Sequence, residues 1–113
     1  MEVSFLLSSD ELFTLLYVAP KTSEPGLLFR EEALVGAEIC DLSGLVEKKL
    51  AKRNKDELEL ELVLRMIIDT IANADNIEKH DEAWKIRSQW ATLACEKYSF
   101  NENHWKITPV KEG

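Results

Sequence analysis

With 113 residues, 45% of them hydrophobic and 31% charged, the chain has the composition of a folded protein of one domain (1–113) and not of a disordered segment. Twenty-one acidic residues against 14 basic ones give a formal net charge of −7. That balance disfavours indiscriminate binding to phosphate backbones or anionic membranes and makes a basic partner electrostatically easier.

No stretch approaches the roughly 20 apolar residues that span a bilayer. Glu2 stands where a secretory signal carries basic residues. Cytoplasmic location is therefore expected, with Cys40 and Cys95 as two free thiols.

In chain order, Val3, Phe5 and Leu7 alternate with Ser4 and Leu6, which predicts a short edge strand. Ser8 and Glu11 have the spacing of a capping box, so a helix carrying Leu12, Phe13, Leu15, Leu16 and Val18 starts there and stops at Pro20. Lys21 to Gly26 reads as a loop. Over Glu31–Ser43, the steps between Leu34, Val35, Ile39 and Leu42 predict a second helix. Gly44 follows as its stop.

The run from Leu45 to Arg53 reads as a basic strand, and Asn54-Lys55-Asp56 as a turn. Glu57 to Leu62 then alternate strictly, so a strand would put three leucines on one face and three glutamates on the other. Val63 to Ala74 predicts a third helix, with Leu64, Ile67, Ile68 and Ile71 on one side. Ile77 to Tyr98 predicts the longest helix, with Ile77, Trp84, Ala91, Ala94 and Tyr98 as its stripe. Tyr98 and Phe100, then Trp105, Ile107 and Thr108, suggest a C-terminal hairpin that ends at Pro109. The expected fold is thus α+β and mainly helical. It has four helices, a central hairpin over about 45–62 and a smaller one at the C-terminus.

The order helix, short link, strand, turn, strand resembles the second half of a winged-helix domain. Asp41-Leu42-Ser43-Gly44-Leu45-Val46-Glu47 is similar to the junction where that family's recognition helix passes into its wing. The resemblance covers about a third of the chain, and what it implies is nucleic-acid binding through the wing.

Few residues suggest chemistry. His80 and His104 lack a helical i, i+4 partner or a cysteine pair, so they read as surface histidines and not as metal ligands. Cys40 and Cys95 have no basic neighbour to activate a thiol. There is no Gly-x-Ser-x-Gly elbow and no glycine-rich phosphate loop. The expectation is a protein that is not an enzyme and carries no cofactor.

Glu57, Glu59 and Glu61 form a face that could meet a basic partner, although a solvated strand face, guarded by its charge against edge-to-edge pairing, is the simpler explanation. Trp105, in the tail, is the aromatic expected at an interface. Lys48, Lys49, Lys52 and Arg53 could touch phosphates from a wing, but the preceding helix carries Glu31, Glu32, Glu38 and Asp41, which are acceptors where a groove-reading helix needs donors.

The first expectation is a non-enzymatic protein-binding module of the adaptor, chaperone, immunity or inhibitor kind. It would use Glu57, Glu59, Glu61 and Trp105 against another protein with a basic surface. The alternative is a winged-helix-like nucleic-acid-binding regulator using Lys48, Lys49, Lys52 and Arg53. Homodimerisation through a strand edge or the long C-terminal helix is a further route.

Overall fold

The computed structural model describes residues 4–19, 21–55, 57–81, 83–97 and 104–110. The elements are β1 (Phe5–Ser8), α1 (Ser9–Tyr17), α2 (Glu24–Ala33), α3 (Ser43–Glu47), β2 (Ala51–Asn54), β3 (Glu57–Leu60), α4 (Leu62–Ala72), β4 (Asn76–His80), β5 (Ala83–Arg87), β6 (Thr92–Lys97) and β7 (His104–Val110). Strands β4 to β7 form an antiparallel meander, and β1 pairs with β7 at the far edge, giving the order β1-β7-β6-β5-β4. Strands β2 and β3 form a separate two-stranded hairpin.

The mainly helical expectation is overturned. Helix and strand each take 36% of the described residues, and a five-stranded sheet dominates. The error lies in the helix predicted over Ile77–Tyr98, whose described residues, 77–81 and 83–97, form three strands and no helix. Its apolar residues support two periods at once. Ile77, Trp84 and Ala91 sit seven apart, as on a helix, yet Trp84 and Ile86, and Leu93 and Cys95, also alternate as on strands. Turn chemistry decides between them. Asp81 adopts a left-handed φ of 56° between β4 and β5. Between β5 and β6 the Ser88 hydroxyl accepts from the amides of Trp90 and Ala91, at 3.1 and 3.3 Å. A side chain that takes over two backbone donors offers the chain an alternative to helix.

The predicted helix Glu31–Ser43 is also absent. Helix α2 starts earlier, at Glu24, with Ser23 as its cap and Pro25 in its first turn. It ends at Ala33, and Gly36 turns the chain at a φ of 84°. Beyond it, side chains of α1 hold residues 37–42 without regular structure. Asp10 accepts from the Glu38 amide at 2.9 Å, and the Thr14 hydroxyl accepts from the Cys40 amide at 2.9 Å. Without a helix here there is no recognition helix, so the winged-helix likeness fails. The central hairpin is real but shorter than expected, since Leu45 to Glu47 belong to α3.

Other expectations hold. β1 forms, and the Ser8–Glu11 capping box is complete, with Ser8 Oγ accepting from the Glu11 amide and Glu11 Oε1 accepting from the Ser8 amide. The helix read at Val63–Ala74 is α4. The expected small C-terminal hairpin is corrected: its second strand is β7, which runs through Pro109 to Val110 and belongs to the five-stranded sheet between β1 and β6. Pro20, Tyr98 and Phe100 lie outside the described residues.

One face of the sheet is buried against the helices. Phe5, Leu7, Trp84, Ile86, Leu93, Cys95, Trp105 and Ile107 point into the core and meet Leu12, Leu16, Phe29, Leu64, Ile67 and Ile71 from the helices. Phe29 sits edge-on to both Trp84 and Trp105, with ring centroids 5.5 and 5.8 Å away. Gly26 lets α2 approach α4 closely, because a Cβ there would lie 2.5 Å from the Ile71 carbonyl oxygen. Ser23 ties the same crossing by donating from its amide to the Ala72 carbonyl and from its hydroxyl to that of Ala74, both at 2.7 Å.

Candidate functional site

The hairpin places the predicted acidic residues in two different settings. Lys52 pairs with Glu59 and Asn54 with Glu57 across the strands, so these four side chains share one face. Glu57 and Glu59 are exposed, and Asn54 Nδ2 donates to Glu59 Oε1 at 3.2 Å. The opposite face carries Ala51, Leu58 and Leu60 toward the core.

Glu61 departs from this ladder. It is the N-cap of α4, and its Oε2 accepts from the amides of Val63 and Leu64 at 3.0 and 3.2 Å. Strict alternation carried it into the strand, whereas the chain turns into helix one residue after Leu60. Glu61 keeps an exposed position, but its carboxylate serves the helix.

Trp105 is 1% exposed. It lies in the core against Phe29, and its indole Nε1 donates to Ser9 Oγ at 3.1 Å. The expectation of an interface aromatic is therefore corrected at this position. The exposed tryptophan is Trp90, at 60%. The helix predicted over Ile77–Tyr98 takes it in, although Ser88 and Gln89 before it were the turn signal that would have set it apart.

Trp90 has apolar company. Leu62 and Met66 on the outer side of α4 are 77% and 39% exposed. With Arg65, Asp69 and Asn73 they line a shallow groove of about 520 Å³ that includes Trp90. Large apolar side chains gathered on a surface mark an interaction site far more often than singly scattered ones.

A second depression of about 490 Å³ lies between the start of α1, the turn after α2 and the sheet. Its walls mix Asp10, Glu32 and Asp81 with Lys79 and Lys97. The two lysine ammoniums stand over the rings of Trp84 and Trp105, 5.4 and 5.9 Å from their centroids.

The basic cluster is dispersed. Lys48 Nζ lies 2.9 Å from Glu11 Oε1 and donates at 3.5 Å to the Leu6 carbonyl. Arg53 reaches Asp41 at 3.8 Å. Lys49 and Lys52 are exposed, but the helix that precedes them, α3, has only five residues and takes no basic residue from this cluster.

Burial of Glu11 alone would raise its pKa. The Ser8 amide and the Lys48 ammonium outweigh burial, and the carboxyl is held below its ordinary value. Gly44, read from sequence as a helix stop, lies inside α3. A Cβ there would come within 2.8 Å of Glu11 Oε2, so its role is to admit this carboxylate.

The thiols and histidines stand apart. Cys95 is fully buried in β6, and burial pushes its pKa up. Cys40 is half-buried, and the Thr14 hydroxyl contacts its sulfur at 3.7 Å. His80 lies 3.3 Å from Glu78 on β4, while His104 opens β7. Among the described residues no three histidine, cysteine or acidic side chains converge as metal ligands. No described helix is long and apolar enough to cross a membrane. No protein-family model matches the chain, and neither does any curated protein or solved structure.

Proposed function

We propose that this chain is a non-enzymatic protein-binding module working through two exposed surfaces that follow one another in sequence. The observation that supports this most is the cluster of Leu62, Met66 and Trp90, large apolar side chains left in water at the rim of one groove. Just before α4 in the chain, Glu57 and Glu59 stand out from the hairpin, and they suit a partner with a basic surface. The reading takes the cytoplasm as its setting, because two unpaired thiols fit a reducing compartment.

The test is affinity capture from host lysate with the wild-type chain and with the double reversal Glu57→Lys/Glu59→Lys. Both side chains point away from the core, so the reversal is expected to leave the thermal melt within about 0.5 kcal/mol of wild type. A protein partner that the wild type retains through nuclease treatment and the reversal loses would support the hairpin as its contact. Equal recovery by both would remove the hairpin from the reading.

A further inference from the structure

The groove along α4 has a pattern that one kind of partner fits especially well. Leu62, Met66, Asp69 and Asn73 follow one another at steps of four, three and four residues, the repeat of a helix–helix seam. Arg65 and Asp69 project on this outer side, four residues apart. Both are exposed, and neither carboxylate nor guanidinium has an ion-pair partner among the described residues.

Trp90 marks one end of the groove. The Asp75 amide, three residues past α4, donates to the Arg87 carbonyl at 2.8 Å. The turn that carries Trp90 therefore lies at the C-terminal end of α4, and Leu62 at the N-terminal end.

The surface thus reads along the helix as apolar, cationic, Met66, anionic, apolar. That order is complementary to its own reverse. When two copies lie antiparallel about a two-fold axis near Met66, Leu62 of one meets Trp90 of the other. Arg65 then faces Asp69, each contact occurs twice, and the methionines meet at the centre. Opposite charges leave the seam itself neutral, so the repulsion between two copies of net charge −7 acts from outside it and is screened by salt.

We propose that the α4–Trp90 groove is the seam of a two-fold homodimer, with a second copy of this chain as its occupant. This rests on reading the groove as a protein-binding surface and names the partner. A three-turn helix and one turn make a small interface, so the expected affinity is micromolar. The basic partner of the hairpin then binds elsewhere on the dimer.

Sedimentation equilibrium of the full chain, from low micromolar to submillimolar concentration, tests this with three variants. Arg65→Asp alone and Asp69→Arg alone each turn both cross-pairs into like charges, and each is expected to weaken the dimer about tenfold or more. The double variant Arg65→Asp/Asp69→Arg restores the pairs and is expected to return the affinity to near the wild-type value. A wild type that stays monomeric throughout overturns the proposal, and so does a dimer indifferent to the single reversals or one the double reversal fails to rescue. Capture of a foreign protein that Trp90→Ser abolishes, by a wild type that is monomeric, overturns the dimer alone and leaves the binding-module reading standing.

Discussion

Glu11 shows how much a single side chain can organise. It closes the capping box of α1, pairs with Lys48 beyond α3, and fills space that Gly44 leaves open. Its folded pKa lies below the unfolded value, near 4.5. Its contribution to stability is therefore complete above that value and is lost as the pH falls through the depressed folded pKa. Glu11→Gln keeps the size but loses the charge. Urea titrations of the two proteins should differ most at neutral pH and converge in acid; a constant difference across the range would show that the carboxylate's charge contributes nothing. The capping box was legible because its two residues are three apart in sequence. The Lys48 and Gly44 contacts were not, because they depend on how α3 comes to rest beside α1.

Elements carry the contrast between the two tryptophans. Trp105 on β7 closes the core under Phe29, whereas Trp90 sits in a turn and meets water. Trp105→Ala should cost about 3–5 kcal/mol through the cavity and the lost ring contacts. Trp90→Ser should stay within about 0.5 kcal/mol in a dilute sample. Thermal melts of both variants measure this, and a large loss for Trp90→Ser would mean that the ring supports the fold.

Elements also mark where sequence reasoning reached its limit. β1, α1, α4 and the hairpin each have a cap or a single clear period within them, and they were readable. Residues 77–97 were not, because a seven-residue spacing of Ile77, Trp84 and Ala91 is what a helix needs and also what strands joined by tight turns can produce. The acidic hairpin face was legible for Glu57 and Glu59. The Leu62–Met66–Trp90 groove was hidden, since it depends on two elements that meet only in the folded chain.

At the scale of the whole molecule, the helices cover one face of a five-stranded sheet and leave the hairpin and an outer strand at the margins. Among the described residues β6 and β7 are flanked on both sides, whereas β4 pairs with β5 alone. Amide hydrogen exchange should accordingly be slowest in Leu93–Cys95 and Trp105–Ile107 and fastest in β4 and the β2–β3 hairpin. Early loss of protection in β6 would indicate that the sheet opens from its middle, contrary to this packing.

The placement of β1 has a consequence in time. Phe5 stands opposite Ile107 and Leu7 opposite Trp105, and the Ser9–Trp105 hydrogen bond spans 96 positions. The ribosome makes β1 before every other described element, and its neighbour among the described residues, β7, after all of them. Until β7 appears Phe5 and Leu7 have no sheet strand to pair with, and the loop that must close runs from β1 to β7, which slows the pairing. The β1–β7 pairing is thus among the last that this sheet can make as the chain is synthesised, and until then the first strand lacks the neighbour that would shield it from other nascent chains.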